Sequence, residues 1–278
     1  MIDLASRAIP RATAAAIVWA PMPTLARLNT TPVKGTALLH PATVRLTELG
    51  IPWNRRFHLV DAVGRLFSGG AHGPLVRLHA SFDEEAGALT ITFPNGDRIT
   101  AAADGLGEAH VTDFWGRPVP GRFVEGPLAG AIGAHLGRQL RLVRTDAEGD
   151  GLDVHRLSLV SEASVRDLGS RSDRPGLDPL RFRMNLELDG CEPFEEDTWE
   201  GRQVRIGGAV ARVLGPVPRC VVTTQDPATG VKDFDTLKRI AEYRPLIPNP
   251  RGVPFGMYAE VEQPGWVSVG DPVELLGA

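Results

Sequence analysis

Short alternating apolar runs, each cut off by glycine, proline or an Asn-Gly pair, set the first limit on what this chain can become. Thr43–Leu49 alternates and stops at Gly50 and Pro52, and Phe57–Asp61 stops at Gly64. Val76, Leu78, Ala80 and Phe82 fall on one face of the next run and Arg77, His79 and Ser81 on the other, the period of a half-buried strand. Leu89, Ile91 and Phe93 repeat the pattern before Pro94-Asn95-Gly96-Asp97, whose Asn-Gly pair suits a tight turn. Further strands are expected at His110–Phe114 and Leu140–Arg144. Many short strands at regular spacing predict a sandwich or barrel and not a doubly wound sheet.

Helices are few. Leu128, Ile132 and Leu136 recur at helical spacing between Pro127, suited to a first turn, and Gly137, suited to a stop. Ser161 is a good N-cap for a second helix, with Val165 and Leu168 on one face and Gly169 as its C-terminal residue. Asp235–Tyr243 reads as a third, stopped by Pro245. The expected fold class is mainly β with a few helices.

The chain has 278 residues, enough to bury a sizeable core without staples. Its formal charge of −4 gives no electrostatic reason to expect nucleic acid or an anionic membrane as partner. Two cysteines exclude a disulfide framework and a four-cysteine iron–sulfur cluster within the chain, so redox chemistry here would draw electrons from outside. No apolar run approaches the ~20 residues of a membrane-spanning helix, and a cytoplasmic location is expected. Ala12–Ala20, after Arg7 and Arg11, reads as a loose leader or surface segment. Thr145–Val154 is polar and without periodicity, as expected of a domain boundary or surface loop.

Gly215–Gly230 concentrates the residues that could carry chemistry. Two prolines stiffen the approach to Cys220, Arg219 precedes it, and a β-branched run, Val221–Thr224, suggests a thiol at the mouth of a strand. A cation beside a thiol favours the thiolate, the form that binds metal or attacks an electrophile. A lone cysteine is also commonly a small buried apolar residue, and the residues alone leave both readings open.

The run from Arg219 through Cys220, Thr223, Thr224, Asp226 and Pro227 to Thr229 and Gly230 resembles the Arg-Cys-x-x-Thr-Thr-x-Asp-Pro-x-Thr-Gly motif of the MOSC family. That family of molybdenum-cofactor domain proteins includes the mitochondrial amidoxime-reducing components and their bacterial relatives. The resemblance extends over Leu25–Gly270. It implies an N-terminal β-barrel-like domain over 24–145 and a MOSC β-barrel domain over 150–278. It also implies that Cys220 is the protein ligand to molybdenum and the catalytic residue.

Other motifs follow in order. Thr31-Pro32-Val33-Lys34-Gly35 resembles a Pro-Val-Lys-Ser signature whose last two residues contact the pterin phosphate; here Lys34 is kept and Gly35 offers only its backbone N–H. Within Arg55-Arg56-Phe57-His58, Arg56 falls on a cofactor-binding arginine, while Arg55 replaces an acid and His58 an aromatic residue. In Phe67–Leu75 a family Thr and Arg are replaced by Gly69 and Ala71, and His72 reads as a loop histidine. Ser161-Glu162-Ala163-Ser164 resembles a helix start that faces the cofactor, which puts Ser161 and Ser164 among the cofactor-binding residues; by itself it is a capped helix end. Arg183 and Asn185 resemble a pair on one strand face directed at the pterin, with Met184 in place of a proline. Thr223, Thr224 and Asp226 complete the expected cofactor set, and Cys191 is read as structural.

By resemblance, then, the chain is a molybdenum-cofactor-dependent oxidoreductase that removes oxygen from N-hydroxylated small molecules, supplied with electrons by a separate flavin or iron–sulfur protein. A pyridoxal-phosphate-binding-like property is a looser implication. Two other readings use the same cysteine: a carrier that holds the cofactor for another protein, and a sulfur-transfer protein.

Overall fold

The protein is described by a computed structural model over residues 22–248 and 251–277. The Ala12–Ala20 stretch lies outside the described residues.

The larger sheet takes strands from both ends of the chain. Its path runs Thr24–Leu28, Leu186–Asp189, Leu157–Ser161, Arg251–Gln263, Ala209–Arg219, Gln203–Ile206 and Val273–Leu275, with Ile247–Pro248 pairing off the path to Arg251–Gln263. The two ends of that path approach each other, since Val273 N donates to Pro23 O at 2.7 Å and Thr24 bridges Pro272. The result is a nearly closed, barrel-like sheet, which removes most of the exposed edge an open sheet would carry. Its interior is a contiguous cluster that includes Leu25, Leu28, Leu159, Leu186, Val213, Met257 and Ala259. Alternate residues of each strand supply it, as the pleat requires.

A second core lies beside it. Leu66–Phe67, Phe57–Asp61, Leu140–Thr145, Arg117–Val124 and Leu106–Phe114 form a five-stranded sheet, and His79–Asp83, Ala88–Thr92 and Arg98–Ala102 a three-stranded meander. Val33, Phe57, Leu75, Leu78, Leu89, Ile91, Ile132 and Leu142 are fully or almost fully buried between them. Helix α1, Leu128–Leu136, closes this core and ends at Gly137 in the left-handed conformation (φ 63°), which glycine adopts without steric cost.

Strand pairings link the expected units 24–145 and 150–278. Thr24–Leu28 is a strand of the barrel, and Thr43–Leu46 pairs with Gly265–Ser268. Leu157–Ser161 and Leu186–Asp189 run parallel, so a crossover must join them, and helix α2, Glu162–Arg171, is that crossover.

Four local expectations are corrected. The run before the meander is a 3₁₀ turn over Gly73–Arg77, so Leu75 and not Val76 joins Leu78 in the core. Gly169 lies inside α2 and does not end it; a Cβ there would meet Arg174 O at 2.7 Å, so glycine serves close packing at that position. Val221–Thr224 is a 3₁₀ turn and the strand precedes Cys220, because both threonine hydroxyls turn back to carbonyls three residues earlier. Arg183 and Asn185 precede the strand that begins at Leu186, and Arg183 sits at φ 53°, so the pair shares no strand face.

Candidate functional site

Segments far apart in sequence meet at one cluster of positive charge. Lys34 is placed by its backbone N–H, which donates to Phe57 O at 2.8 Å. Its side chain is buried; Nζ donates to Gly151 O at 2.9 Å and to Asp153 Oδ1 at 2.6 Å, and lies 5.0 Å from the Phe114 ring centroid. Arg55 adopts φ 56° and donates through Nη2 to Arg183 O at 3.2 Å, with Nη1 4.0 Å from Asp153 Oδ2. Arg183, also left-handed, donates through Nη2 to Thr36 O at 2.7 Å. Arg219 donates to Phe182 O and, at 3.1 Å, to Met184 Sδ. A left-handed conformation costs a non-glycine residue ~1–2 kcal/mol, and two occur here on charged residues of one site.

The electrostatics follow from this crowding. Burial and the neighbouring Arg55 push the Arg183 guanidinium down to about 9, against the pull of Asp153 and of a thiolate at Cys220. Burial likewise lowers Lys34 and Arg219. Burial opposes the charge on Asp153, but Lys34, Arg55 and Arg219 outweigh it and hold that carboxyl down at about 2. One carboxylate, its side chain 49% exposed, thus faces four cations. A site built this way favours a further anion.

Cys220 stands at the rim. It follows the strand Ala209–Arg219, caps the 3₁₀ turn Val221–Thr224 and is exposed. The turn is held from below. Thr223 O accepts from Arg181 Nη1 at 3.0 Å and from Thr236 Oγ1 at 2.6 Å; Thr236 opens helix α3, Thr236–Ala241. Asp226 Oδ1 accepts from the backbone N–H groups of Ala228 and Thr229 and from the Thr229 hydroxyl, fixing the next turn. Gln225 Nε2 donates to Gly69 O at 3.0 Å and Gly70 O at 3.3 Å, binding the Gly69–Ala71 loop to the cysteine turn.

Residues 146–274 match the MOSC domain family. The matched segment, 129 of the 278 residues, resembles a MOSC domain.

Among curated proteins, the mitochondrial amidoxime-reducing component 1 of Mus musculus is 36% identical over 147 residues, 50% of this chain and 42% of that protein. Mitochondrial amidoxime reducing component 2 of Rattus norvegicus is 39% identical over 127 residues, 44% of this chain and 37% of the relative. The chain thus spans less than half the length of the curated relatives it matches. Among solved structures, the YUAD protein from Bacillus subtilis aligns with a TM-score of 0.45 at 13% identity, covering 91% of this chain and 95% of that one. YiiM from Escherichia coli aligns with a TM-score of 0.31 at 21% identity, covering 45% and 55%.

The fold brings some of the expected residues together and disperses others. Lys34 and Arg183 enter the cluster around Asp153, and Arg183 feels the charge of Cys220. Gly35 lines a small cavity with Gln225 and Asp226; at φ 93°, with Leu75 Cδ2 2.7 Å from where a Cβ would stand, this position excludes a serine without strain. Arg56 points elsewhere, to Thr145 Oγ1 and Asp146 O, and its neighbour Arg55 enters the cluster instead. Ser161 and Ser164 are buried around Glu196, whose carboxylate accepts from Ser161 N at 3.1 Å and from Ser164 Oγ at 2.8 and 3.0 Å. Asn185 is tied to Asn29 O and to the Ser158 hydroxyl. The Thr223, Thr224 and Asp226 side chains all serve their own turns. Cys191 is buried in the barrel core and burial pushes its thiol up to about 12, a structural cysteine. His72 stacks on Phe67 at 3.6 Å.

Sequence reasoning missed Arg55 and Asp153. Adjacent arginines hid which one turns inward, and Asp153 sits in a loop whose polarity signals only exposure. The residues present fit an anionic, metal-bearing group on two observations. An exposed thiol adjoins a cationic surplus, and Arg219 Nε is buried with no hydrogen-bond partner.

Proposed function

We propose that this chain binds the molybdenum cofactor beside Cys220 and uses it to remove oxygen from N-hydroxylated small molecules. One observation carries the reading: the thiol of Cys220 is open to solvent at the edge of a cluster in which Lys34, Arg55, Arg183 and Arg219 share a single carboxylate. The MOSC domain and the likeness to amidoxime-reducing components support it.

Cys220 would supply a soft sulfur ligand, with the positive charges of Arg183 and Arg219 beside it. Lys34 and Arg55 would hold the anionic part of the cofactor. When bound, the cofactor supplies the two-electron redox chemistry of oxygen-atom removal. The balance is an N–OH compound plus two electrons and two protons giving the N–H compound and water, with the electrons from a separate flavin or iron–sulfur protein. Asp153, held at about 2, is ionised at neutral pH and acts as a counter-charge, not a proton donor. Burial pushes the Tyr258 phenol, which faces the same charges, up to about 12, so it keeps its proton.

The test is metal and pterin content of the protein made in a cofactor-competent host, alongside Cys220→Ala, followed by turnover of benzamidoxime with an artificial reductant. Near-stoichiometric molybdenum and pterin, loss of metal in the variant and turnover by the wild type are expected. Folded protein without molybdenum or pterin would overturn the reading. Metal and pterin without turnover would leave a carrier.

A further inference from the structure

A cleft of about 460 Å³ opens between Ala37–His40, Arg77–His79 and Phe93–Gly96 on one side and Asp178–Arg183 and Pro227–Ala228 on the other. That volume suits a small organic ligand. The cleft shares Val76, Leu180, Arg183 and Pro227 with the smaller cavity lined by Gly35, Val222 and Gln225, so it leads toward the turn that carries Cys220. Cys220 itself lines neither cavity.

Its polar groups are few and the protonation of one can be worked out. Asn29 Nδ2 donates to Met184 O at 2.9 Å and to Glu187 Oε1 at 2.7 Å. Both amide hydrogens are therefore used, and Asn29 Oδ1, an acceptor only, faces His40 Nδ1 at 2.7 Å. The ring hydrogen must sit on Nδ1. In the neutral ring, Nε2 then carries the lone pair. Burial, Arg27 and His79 keep His40 neutral, outweighing the Leu28 carbonyl and Asp178, which favour the charged form. The second group is Arg77, exposed and without an ion pair among the described residues. Asp178 is the acidic group of the lining, and one of its oxygens accepts from Leu180 N at 2.9 Å. Arg77 and Arg183 against Asp178 leave one net positive charge.

We propose that this cleft is the binding site for a planar organic acid, its N–H or O–H donating to His40 Nε2 and its carboxylate paired with Arg77. Leu38, Val76, Phe93 and Leu180 supply apolar walls for the ring. As the substrate site it rests on the function proposed above; as a binding site it stands on the cleft alone.

Calorimetric titration with benzamidoxime and 4-carboxybenzamidoxime separates the two, since binding needs neither metal nor electrons. The carboxylated probe is expected to bind about tenfold tighter, a gap that Arg77→Gln abolishes. His40→Phe, which removes the lone pair but keeps a ring, is expected to weaken both probes about tenfold. Arg77 has no ion pair to lose, so Arg77→Gln remains decisive even where His40→Phe disturbs Asn29. Equal affinity for the two probes, or a gap unchanged by Arg77→Gln, overturns the proposal. Binding as expected without turnover overturns the catalytic reading and leaves the cleft site standing. Turnover with the KM for the carboxylated probe unchanged in Arg77→Gln does the reverse.

Discussion

The cluster around Glu196 and the cluster around Asp153 both bring a carboxylate to a set of donors, and they end in opposite states. Glu196 is buried at the N-terminus of α2 and takes up Ser161 N–H and the Ser164 hydroxyl, which also accepts from Phe194 N. Nothing is left over for a ligand. Asp153 is half exposed and outnumbered by Lys34, Arg55, Arg183 and Arg219. The first cluster satisfies its donors from within the chain. The second keeps a cationic surplus at its surface, beside the open thiol.

Removing Glu196 breaks the closed cluster and is the largest effect expected. Glu196→Ala strands at least two buried donors, and ~3 kcal/mol of stability should be lost. Glu196→Gln keeps an acceptor oxygen and should cost about half as much. Urea midpoints at neutral pH measure both. A loss for the alanine variant below about 1 kcal/mol would mean that the serines find other partners.

Acid tests how far the open cluster's field reaches. His58 is buried behind it, bonded through Nε2 to Thr112 Oγ1 at 2.7 Å. Burial first, then Lys34 and His110, lower its pKa to about 3. The unfolded chain takes up this proton near pH 6.5 and the folded protein does not. Stability is therefore fully present above that pH and falls by ~1.4 kcal/mol per unit as pH drops toward about 3. His40 and His72 shift in the same direction, so the comparison with His58→Phe isolates this residue. Between pH 7 and 5 the urea midpoint of the variant should fall less steeply than that of the wild type. Parallel slopes would remove His58 from the account.

What the sequence could disclose divides along the same line. Alternation and punctuation located most strands, and Gly137 marked the end of α1, because those signals are local. Arg183 and Asn185 were expected on a strand because their spacing fits one. The left-handed turn at Arg183 is set by contacts with Thr36 and Arg55 that no local pattern encodes. Val221–Thr224 has strand-forming side chains, yet Thr223 and Thr224 bond back to Cys220 O and Val221 O. Asp153 was invisible because its partner Lys34 lies 119 residues away. The Ser-Glu-Ala-Ser helix start was legible as a cap, and the occupant of that cap, Glu196, was not.

Gly35 offers a sharper, smaller test at the edge of the open cluster. Gly35→Ser would restore the hydroxyl of the family pattern, but at φ 93° and against Leu75 it should cost ~1–2 kcal/mol. A neutral or stabilising substitution, read from the urea midpoint, would show that Leu75 yields.

Asp153→Asn carries the smallest expected change in stability and the most informative change in binding. It removes the shared counter-charge of Lys34 and Arg55 while keeping the side chain's size. Lys34 Nζ still has Gly151 O at 2.9 Å, and the Asp153 side chain is half in water, so the loss should be ~1 kcal/mol or less. The cationic surplus grows by one charge, so inorganic pyrophosphate should bind more tightly to the variant than to the wild type, a difference that added salt erases. The same probe should bind Glu196→Gln as it binds the wild type, because that carboxylate is enclosed elsewhere. Unchanged or weaker pyrophosphate binding in Asp153→Asn would mean that the four cations are balanced as they stand, and that the unmet charge does not lie in this cluster.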